Sequence, residues 1–257
     1  MSAAAAASSK VAIVTGAARG IGRACALELA RRGFDIALVD RLEPEMTTTA
    51  EEIVKSGRRT LRYVADVALF ARAHEVVADV HRQWGGIDFL LNNAGAPNPK
   101  PLLEIGEAEF DRTIAVNLKS CFNYIHAAAP IMLEQDKGGR VVSMSSINAL
   151  SGGVTSAVSK HAYAAAKAGI LGLTRSLAKE LGPKISINAI CPGVIETELL
   201  ASLLTGGGRG AELARGIALG RLGTPDDVAQ LVAFLATSEP CYLTGQHFVV
   251  DGFQWAC

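Results

Sequence analysis

Short apolar runs rich in β-branched residues alternate with longer segments of helical periodicity along this chain. In the segment "IGRACALELARRG", for example, Ile21, Cys25 and Leu29 fall on one helical face, and Gly33 ends the pattern. Strands that are apolar throughout are typical of a parallel sheet covered by helices on both faces. We therefore predict strands at 11–14, 35–39, 61–65, 88–91, 140–144, 185–190 and 247–250.

The same pattern predicts the domain organisation. Neither a repeat nor a Pro/Ser-rich linker interrupts it, so residues 10–257 should form a single doubly wound α/β domain with a mostly parallel seven-stranded sheet. Residues 1–9 lack the features of a signal peptide and are expected to be a flexible tail. A glycine cluster within 200–220 indicates a mobile loop beside a short helix.

The composition narrows the class of protein. Hydrophobic residues make up 49% of the 257 positions and charged residues only 19%, which is enough for a sizeable core. The 25 basic and 25 acidic residues balance, and no basic block indicates binding to nucleic acid or to a membrane surface. Apolar stretches are broken well before the roughly 18 positions of a membrane span. Five scattered cysteines fit reduced thiols in a cytoplasmic protein.

The first predicted strand leads directly into "TGAARGIG", which contains Gly16, Gly20 and Gly22, and a helix follows at once. Glycines at such a turn let backbone amides approach a pyrophosphate at the positive N-terminus of the helix. Asp40 closes the second strand 18 positions after Gly22, where an acid can accept a hydrogen bond from a ribose 2′-hydroxyl. A glycine-rich turn alone would be weak evidence, but the combination predicts a dinucleotide site in a Rossmann-type domain.

A second candidate for chemistry is "HAYAAAKAG", in which Tyr163 and Lys167 are four residues apart. On a helix these positions share a face, and a neighbouring ammonium stabilises a phenolate, which otherwise forms only near about pH 10. Such pairs are common on surface helices, so the spacing alone does not decide the matter. The helix itself is indicated by an apolar stripe of Ala166, Ile170, Leu173, Leu177 and Leu181.

These motifs, taken in order, resemble those of the short-chain dehydrogenase/reductase family. "NNAG" at 92–95 follows the fourth strand, Asn117 lies in "AVNL", and a serine pair closes the fifth strand. The Tyr-x3-Lys pair and then "CPGVIET" at 191–197 complete the series, so the resemblance covers residues 10–253. It implies hydride transfer between a nicotinamide cofactor and a secondary alcohol or ketone.

The resemblance implies a cofactor contact for each matched position. Asp40 would hold the adenosine ribose and favour NAD over NADP, because a carboxylate repels a 2′-phosphate, although Arg41 could cover that phosphate. Asp66 would accept from the adenine amino group, unless it is mainly a helix N-cap. The implied cofactor-binding residues are Gly16, Arg19, Gly20, Ile21, Gly22, Asp40, Asp66, Val67, Asn93, Ala94, Gly95, Tyr163, Lys167, Pro192, Gly193, Ile195 and Thr197.

The resemblance also implies the catalytic roles. Tyr163 would pass a proton to or from the substrate oxygen, Lys167 would hold the nicotinamide ribose, and a serine would hydrogen-bond the same oxygen. Counted from the start of the strand, Ser146 matches the family position better than Ser145. Asn117 would anchor a water linked to the lysine, unless it is a structural amide that distorts its helix. The catalytic set is therefore Asn117, Ser146, Tyr163 and Lys167.

The interval between the catalytic serine and tyrosine departs from the family pattern. It encloses 16 residues, several more than usual, so segment 147–160 is predicted to bulge over the substrate pocket. Segments 96–104 and 194–215 would form the other walls, and their mixed polarity does not indicate one substrate. His161 is interpreted as a partly exposed loop residue rather than a proton relay. No cluster of side chains has metal-ligand spacing, so no catalytic metal is expected.

The leading hypothesis is an NAD-dependent oxidoreductase acting on a small-molecule alcohol or ketone. The alternatives are an NADPH-dependent carbonyl or 3-oxoacyl-thioester reductase and, more remotely, a dinucleotide-binding sensor without turnover. The enoyl-reductase branch is disfavoured because its tyrosine and lysine are more widely spaced. By resemblance, the last helix, which should begin at Asp226, and the last strand pair between subunits, so a homotetramer is expected, with a dimer as the alternative.

Overall fold

The computed structural model describes residues 9–153, 159–198 and 209–254. Within them a seven-stranded sheet has the order β3-β2-β1-β4-β5-β6-β7, and every pairing is parallel. The predicted strands and the doubly wound α/β class are confirmed, and the sheet is parallel throughout. The strands are β1 (Lys10–Thr15), β2 (Phe34–Asp40), β3 (Thr60–Val64), β4 (Phe89–Asn92), β5 (Gly139–Met144), β6 (Ile185–Pro192) and β7 (His247–Val250).

The helices follow the strands in alternation, as the periodicity predicts. No helix in the described part of the chain is long and apolar enough to cross a bilayer. The glycine cluster up to residue 208 lies outside the described residues, and the short helix expected beside it is α8. The helices are α1 (Gly20–Arg31), α2 (Glu43–Lys55), α3 (Phe70–Trp84), α4 (Glu107–Ile114), α5 (Ser120–Glu134), α6 (Asn148–Ser151), α7 (His161–Leu181), α8 (Arg209–Arg215) and α9 (Pro225–Thr237), with a π-helical turn at Ala115–Lys119 between α4 and α5.

The two faces of the sheet carry separate hydrophobic cores. Side chains alternate along β1, so Ala12 and Val14 pack with α1, α2 and α9, whereas Val11 and Ile13 pack with α3 and α5. Both sets are fully buried or nearly so. This is why each strand reads as a continuous apolar run in the sequence.

Helix α9 begins with a reciprocal pair of caps. The Thr224 hydroxyl accepts a hydrogen bond from the Asp227 amide, while the Asp227 carboxylate accepts from the Thr224 amide at 2.7 Å. Pro225 occupies the first helical position, where its missing N–H costs nothing. The helix therefore begins one residue before the predicted Asp226, and it packs along α1.

Candidate active site

A cavity of about 940 Å³ lies beyond the carboxyl ends of the strands, on either side of β1 and β4. This is the edge where open parallel sheets bind ligands, and the volume is in the range of small-molecule sites. Every residue that the sequence assigned to the site lines this cavity, with the single exception of Gly22.

The glycine turn after β1 explains that exception. Gly16 has a φ of +66°, and a Cβ there would lie 2.8 Å from the Cα of Ala94. At Gly22 a Cβ would lie only 1.9 Å from the carbonyl oxygen of Gly16. Gly22 thus faces the turn rather than the cavity, and its role is to let α1 begin directly against the turn. Its expected contact with the cofactor phosphates stays a prediction.

The opening turn of α1 points at the cavity. The N-cap, Arg19, makes no side-chain capping hydrogen bond, and Gly20 and Ile21 line the cavity wall. The amides of a helix N-terminus without a side-chain cap are donors with a partial positive charge. The residues present therefore fit the pyrophosphate of a dinucleotide.

Asp40 also organises this turn. Its Oδ2 accepts from the Ala18 amide at 3.0 Å, and its Oδ1 accepts from the amides of Arg41 and Leu42 at 2.7 and 3.1 Å. The carboxylate thus ties the glycine turn to the start of α2. Because it also lines the cavity, it has remaining acceptor capacity on that side.

Thr15 and Asn93 join the ends of β1 and β4. The Thr15 hydroxyl accepts from the amides of Asn93 and Ala94 at 3.0 and 3.1 Å, and Asn93 Nδ2 donates to the Gly16 carbonyl at 3.1 Å. Thr15 was not singled out from the sequence, although it is the first letter of the glycine motif. The side chain of Asn93 therefore has a structural role at the cavity wall.

Asp66 is held by two donors. Its Oδ1 accepts from the Ala68 amide at 3.0 Å, and its Oδ2 accepts from Arg112 Nη2 at 2.8 Å. Burial alone would raise the pKa of the Asp66 carboxyl, but the amide and the guanidinium together hold it below its usual range. The N-cap position of α3 is Leu69, so the alternative N-cap role for Asp66 is wrong. Arg112 was not foreseen.

Tyr163 and Lys167 meet on one face of α7, near the end of β5. The Lys167 ammonium lies 5.5 Å from the centre of the Tyr163 ring and is almost completely buried. Its Nζ donates to the main-chain carbonyl of Met144 at 2.7 Å. An ammonium has three hydrogens, so two remain for other acceptors at the cavity.

Asn117 lies fully buried in the π-helical turn. Its Nδ2 donates to the Thr113 and Ala96 carbonyls at 2.9 and 3.0 Å, and its Oδ1 accepts from the Ala96 amide at 3.1 Å. These bonds tie the π-helical turn to the segment after β4, so the structural role is present. A Cβ on Gly95 would lie 2.8 Å from Asn117 Oδ1 and 3.4 Å from Lys167 Nζ, so this close contact requires glycine.

The two serines after β5 differ in what their hydroxyls do. Ser145 is buried, and its Oγ donates to the Lys167 carbonyl at 2.7 Å. Ser146 is half-buried, and its Oγ accepts from the Asn148 amide at 3.2 Å. The Ser145 hydrogen is therefore committed to α7, whereas the Ser146 hydroxyl accepts and keeps its own hydrogen.

Comparison with known proteins agrees with this geometry. Residues 16–252 match the sequence family described as enoyl-(acyl carrier protein) reductase. The short-chain dehydrogenase/reductase eriH of Hericium erinaceus is 39% identical over 251 residues, which cover 94% of this chain and 96% of that protein. The chain belongs to the short-chain dehydrogenase/reductase family. It is an oxidoreductase, and the chemistry of the family is hydride transfer with a nicotinamide cofactor.

Two further relatives show the breadth of the match. The 3-oxoacyl-[acyl-carrier-protein] reductase FabG of Thermotoga maritima is 38% identical, with 95% of this chain and 96% of that protein covered. The crystal structure of a short-chain type dehydrogenase/reductase from Mycobacterium marinum has a TM-score of 0.89 at 30% identity, with 96% of both chains covered.

The family motifs do not extend to Gln254, which also contributes to the site. Its Oε1 accepts from the Val194 amide at 3.1 Å, and a Cβ on Gly193 would lie 2.8 Å from the same oxygen. Gln254 is buried and lines the cavity, so it supports the turn after β6 from the far end of the chain. No local pattern in the sequence marks it.

Segments 96–104 and 147–160, which the sequence predicts as walls of the substrate pocket, both contribute to the cavity. Asn98 and Ser159 line it, and the Asn98 carbonyl accepts from the Lys160 amide at 2.8 Å. Of the predicted bulge at 147–160, α6 is described, while residues 154–158 lie outside the described residues. His161 is the first residue of α7 rather than a loop residue, and within the described chain its buried Nε2 has no hydrogen-bond partner.

Proposed function

We propose that this protein is an NAD-dependent oxidoreductase that interconverts a secondary alcohol and a ketone, with Tyr163 as the acid and base. The observation that carries the proposal is the continuity of one cavity. It extends from Asp40, the last residue of β2, to Tyr163, Lys167 and Ser146, beyond the end of β5. A dinucleotide along this edge would bring its reactive end to the tyrosine and its adenosine to the acid.

When bound, the cofactor accepts or supplies the hydride, and the side chains of this chain handle the proton. Tyr163 lines the cavity, where its hydroxyl can donate to a ketone oxygen or accept from an alcohol. The buried Lys167 ammonium beneath its ring stabilises negative charge on the phenolic oxygen. The Met144 carbonyl, at the end of β5, accepts one Nζ hydrogen and so fixes the position of the ammonium. The other two hydrogens remain available at the cavity.

The hydroxyl donors favour Ser146 over Ser145 as the partner of the substrate oxygen. The Ser145 hydroxyl donates its hydrogen to the Lys167 carbonyl inside the protein. Ser146 accepts from the Asn148 amide, which orients its oxygen and leaves its hydrogen available to the cavity. Such a donor stabilises the charge that develops on oxygen during the reaction.

NAD is proposed over NADP because of the charge at the end of β2. A 2′-phosphate would approach the Asp40 carboxylate, which already accepts three amides and cannot turn away from the cavity without breaking them. Arg41 lines the same wall and partly offsets that repulsion. Comparing kcat/KM with the two cofactors tests this, and a clear preference for NADP would overturn it.

A 3-oxoacyl-thioester reductase using NADPH is the second candidate, because a relative carrying that name covers nearly the whole chain. The enoyl reduction named in the family description is not proposed, since Tyr163 and Lys167 are four residues apart. A panel of alcohols with NAD, and of ketones and 3-oxoacyl thioesters with NADH or NADPH, distinguishes these reactions through the near-ultraviolet absorbance of the reduced cofactor. A protein that binds the cofactor but turns over none of them would be a sensor.

A homotetramer is the proposed assembly. Large apolar side chains are exposed around α9 and β7, including Phe234, Tyr242 and Phe253. Exposed apolar groups often mark contacts between copies of a chain, and the family resemblance assigns such contacts to the last helix and strand. Light scattering of the purified protein measures the mass directly, and a monomeric mass would contradict this proposal.

A further inference from the structure

Arg112 is the one arginine of α4, and it reaches across the cavity wall to a different part of the sheet. Its Nη2 donates to Asp66 Oδ2 at 2.8 Å, and both residues line the cavity. Asp66 follows β3, so the ion pair connects α4 to the β3–α3 connection. These segments are 46 residues apart in the chain.

The pair is asymmetric in its exposure. The Asp66 side chain is 26% exposed and that of Arg112 45% exposed, so the carboxylate is the more enclosed partner. An exposed ion pair contributes little to stability. The ion pair is therefore of interest for its position on the cavity wall rather than for its contribution to stability.

The ion pair restricts what Asp66 can do. With the Ala68 amide on Oδ1 and the guanidinium on Oδ2, the carboxylate cannot rotate without losing a charged hydrogen bond. Each oxygen retains a second lone pair, and Asp66 lines the cavity. The pKa of this carboxyl is held low, so at neutral pH it only accepts hydrogen bonds. An exocyclic amino group is the matching donor.

We propose that Arg112 is a positioning residue for the adenine end of the cofactor: it fixes Asp66 as the acceptor for the adenine amino group. This inference rests on the proposed function, because it requires a dinucleotide in the cavity. Arg112 acts through Asp66 and also keeps α4 at the outer wall of the adenine end. The role is specific for an amino group over a carbonyl oxygen at the same ring position.

The test compares binding of two cofactors by calorimetry. One is NAD, and the other is its hypoxanthine analogue, in which the adenine amino group is replaced by oxygen. Wild type should bind NAD about tenfold tighter, since one hydrogen bond to a charged acceptor is at stake. Arg112→Met should bring the ratio of the two dissociation constants close to one, and Arg112→Lys should keep most of it. Arg31→Met, which removes another arginine ion pair far from the cavity, is the matched control.

A double substitution distinguishes an effect of Arg112 through Asp66 from an effect of Arg112 on the packing of the cavity wall. If Arg112 acts through Asp66, then Arg112→Met added to Asp66→Asn should change the ratio no further. Equal weakening of both cofactors in Arg112→Met, or an unchanged ratio, would overturn the inference while leaving the proposed function intact. If wild type binds neither NAD nor NADP, the proposed function and this inference both fail. Thermal unfolding of each variant identifies a folding defect, and Arg112→Lys then decides the matter.

Discussion

The cofactor end and the reacting end of the cavity are built in different ways. At the cofactor end, Gly16, Gly22 and Asp40 are held by close backbone contacts and amide hydrogen bonds. At the reacting end, Tyr163 and Ser146 come from separate elements and retain hydroxyl groups that face the cavity. The cofactor end is thus defined by the shape of the backbone, whereas the reacting end presents hydroxyl donors whose neighbours are held by buried hydrogen bonds.

The difference follows from what each region has to do. A pyrophosphate and a ribose are recognised by fixed shape and by amide dipoles, which a tight turn provides. A reacting substrate oxygen needs hydroxyl hydrogens that are not already used in hydrogen bonds within the protein. The other polar groups nearby must therefore be satisfied by buried neighbours. Ser145 and Met144 fill that supporting role, because they bind Lys167 and leave the cavity groups free.

The largest effect is expected at the reacting end from Tyr163→Phe. Loss of the phenolic hydroxyl should reduce turnover by about 10³-fold, the size of a general acid–base contribution, while NAD affinity measured by calorimetry stays within about twofold. Tyr242→Phe is the matched control, since Tyr242 lies outside the cavity and loses the same hydroxyl. Retention of most activity in Tyr163→Phe would remove the tyrosine from the mechanism.

At the cofactor end the corresponding test is Gly22→Ala. A Cβ 1.9 Å from the Gly16 carbonyl oxygen must push α1 away from the turn, which should cost about 3 kcal/mol in the free energy of unfolding. NAD binding should weaken with it. Denaturant unfolding and calorimetry measure both quantities.

Gly172→Ala is the matched control for this change. Gly172 lies within α7 and a Cβ there meets nothing within 4 Å, so alanine should stabilise the protein by about 1 kcal/mol. Equal effects of the two substitutions would show that the close approach at Gly22 is unimportant.

The serine pair sharpens the comparison within the reacting end. Ser146→Ala should lower kcat about 100-fold with little change in unfolding temperature, because it removes a donor at the cavity. Ser145→Ala should instead destabilise the protein by about 1 kcal/mol, since it removes a buried hydrogen bond between the end of β5 and the Lys167 carbonyl of α7. Kinetics and thermal unfolding of both variants give the answer, and the reverse pattern would assign the catalytic role to Ser145.

A smaller effect is expected for cofactor choice in Asp40→Asn. Removing the charge should reduce the preference for NAD over NADP by about tenfold in the ratio of kcat/KM values. Glu43→Gln removes the same charge from the exposed first turn of α2 and should leave the ratio unchanged. If both variants shift it equally, the effect is one of general surface charge.

The smallest effect lies away from both ends, at the cap of α9. The Arg221 guanidinium, together with the Thr224 amide, holds the pKa of Asp227 well below its usual range. Its stabilising contribution is therefore complete above the unfolded pKa of about 4 and is lost as the pH falls below it.

The unfolding temperature of wild type should accordingly fall more between about pH 5 and about pH 3 than that of Asp227→Asn. Asp226→Asn, on the same helical turn but outside the capping box, should follow wild type. Parallel pH profiles for wild type and Asp227→Asn would show that the cap does not contribute through its charge.

Much of this architecture is local and could be predicted. Strand positions, the glycine turn and the Tyr163–Lys167 spacing depend on periodicity, backbone freedom and helical geometry over a few residues. The capped start of α9 was also readable from Thr224 and Pro225, with an error of one residue. The need for glycine at position 22 could be predicted from the motif, whereas its close contact with the Gly16 carbonyl oxygen came only from the structure.

The sequence by itself determined the strands, the family and the residue types at the cavity, since each depends on a pattern within a short stretch of chain. Only the tertiary structure decided which serine hydroxyl stays available, what holds the buried ammonium, and that Arg112 and Gln254 belong to the site. Those contacts join residues 22 to 60 positions apart. They depend on how strand ends and helices are brought into register, and no local pattern of side chains encodes that arrangement.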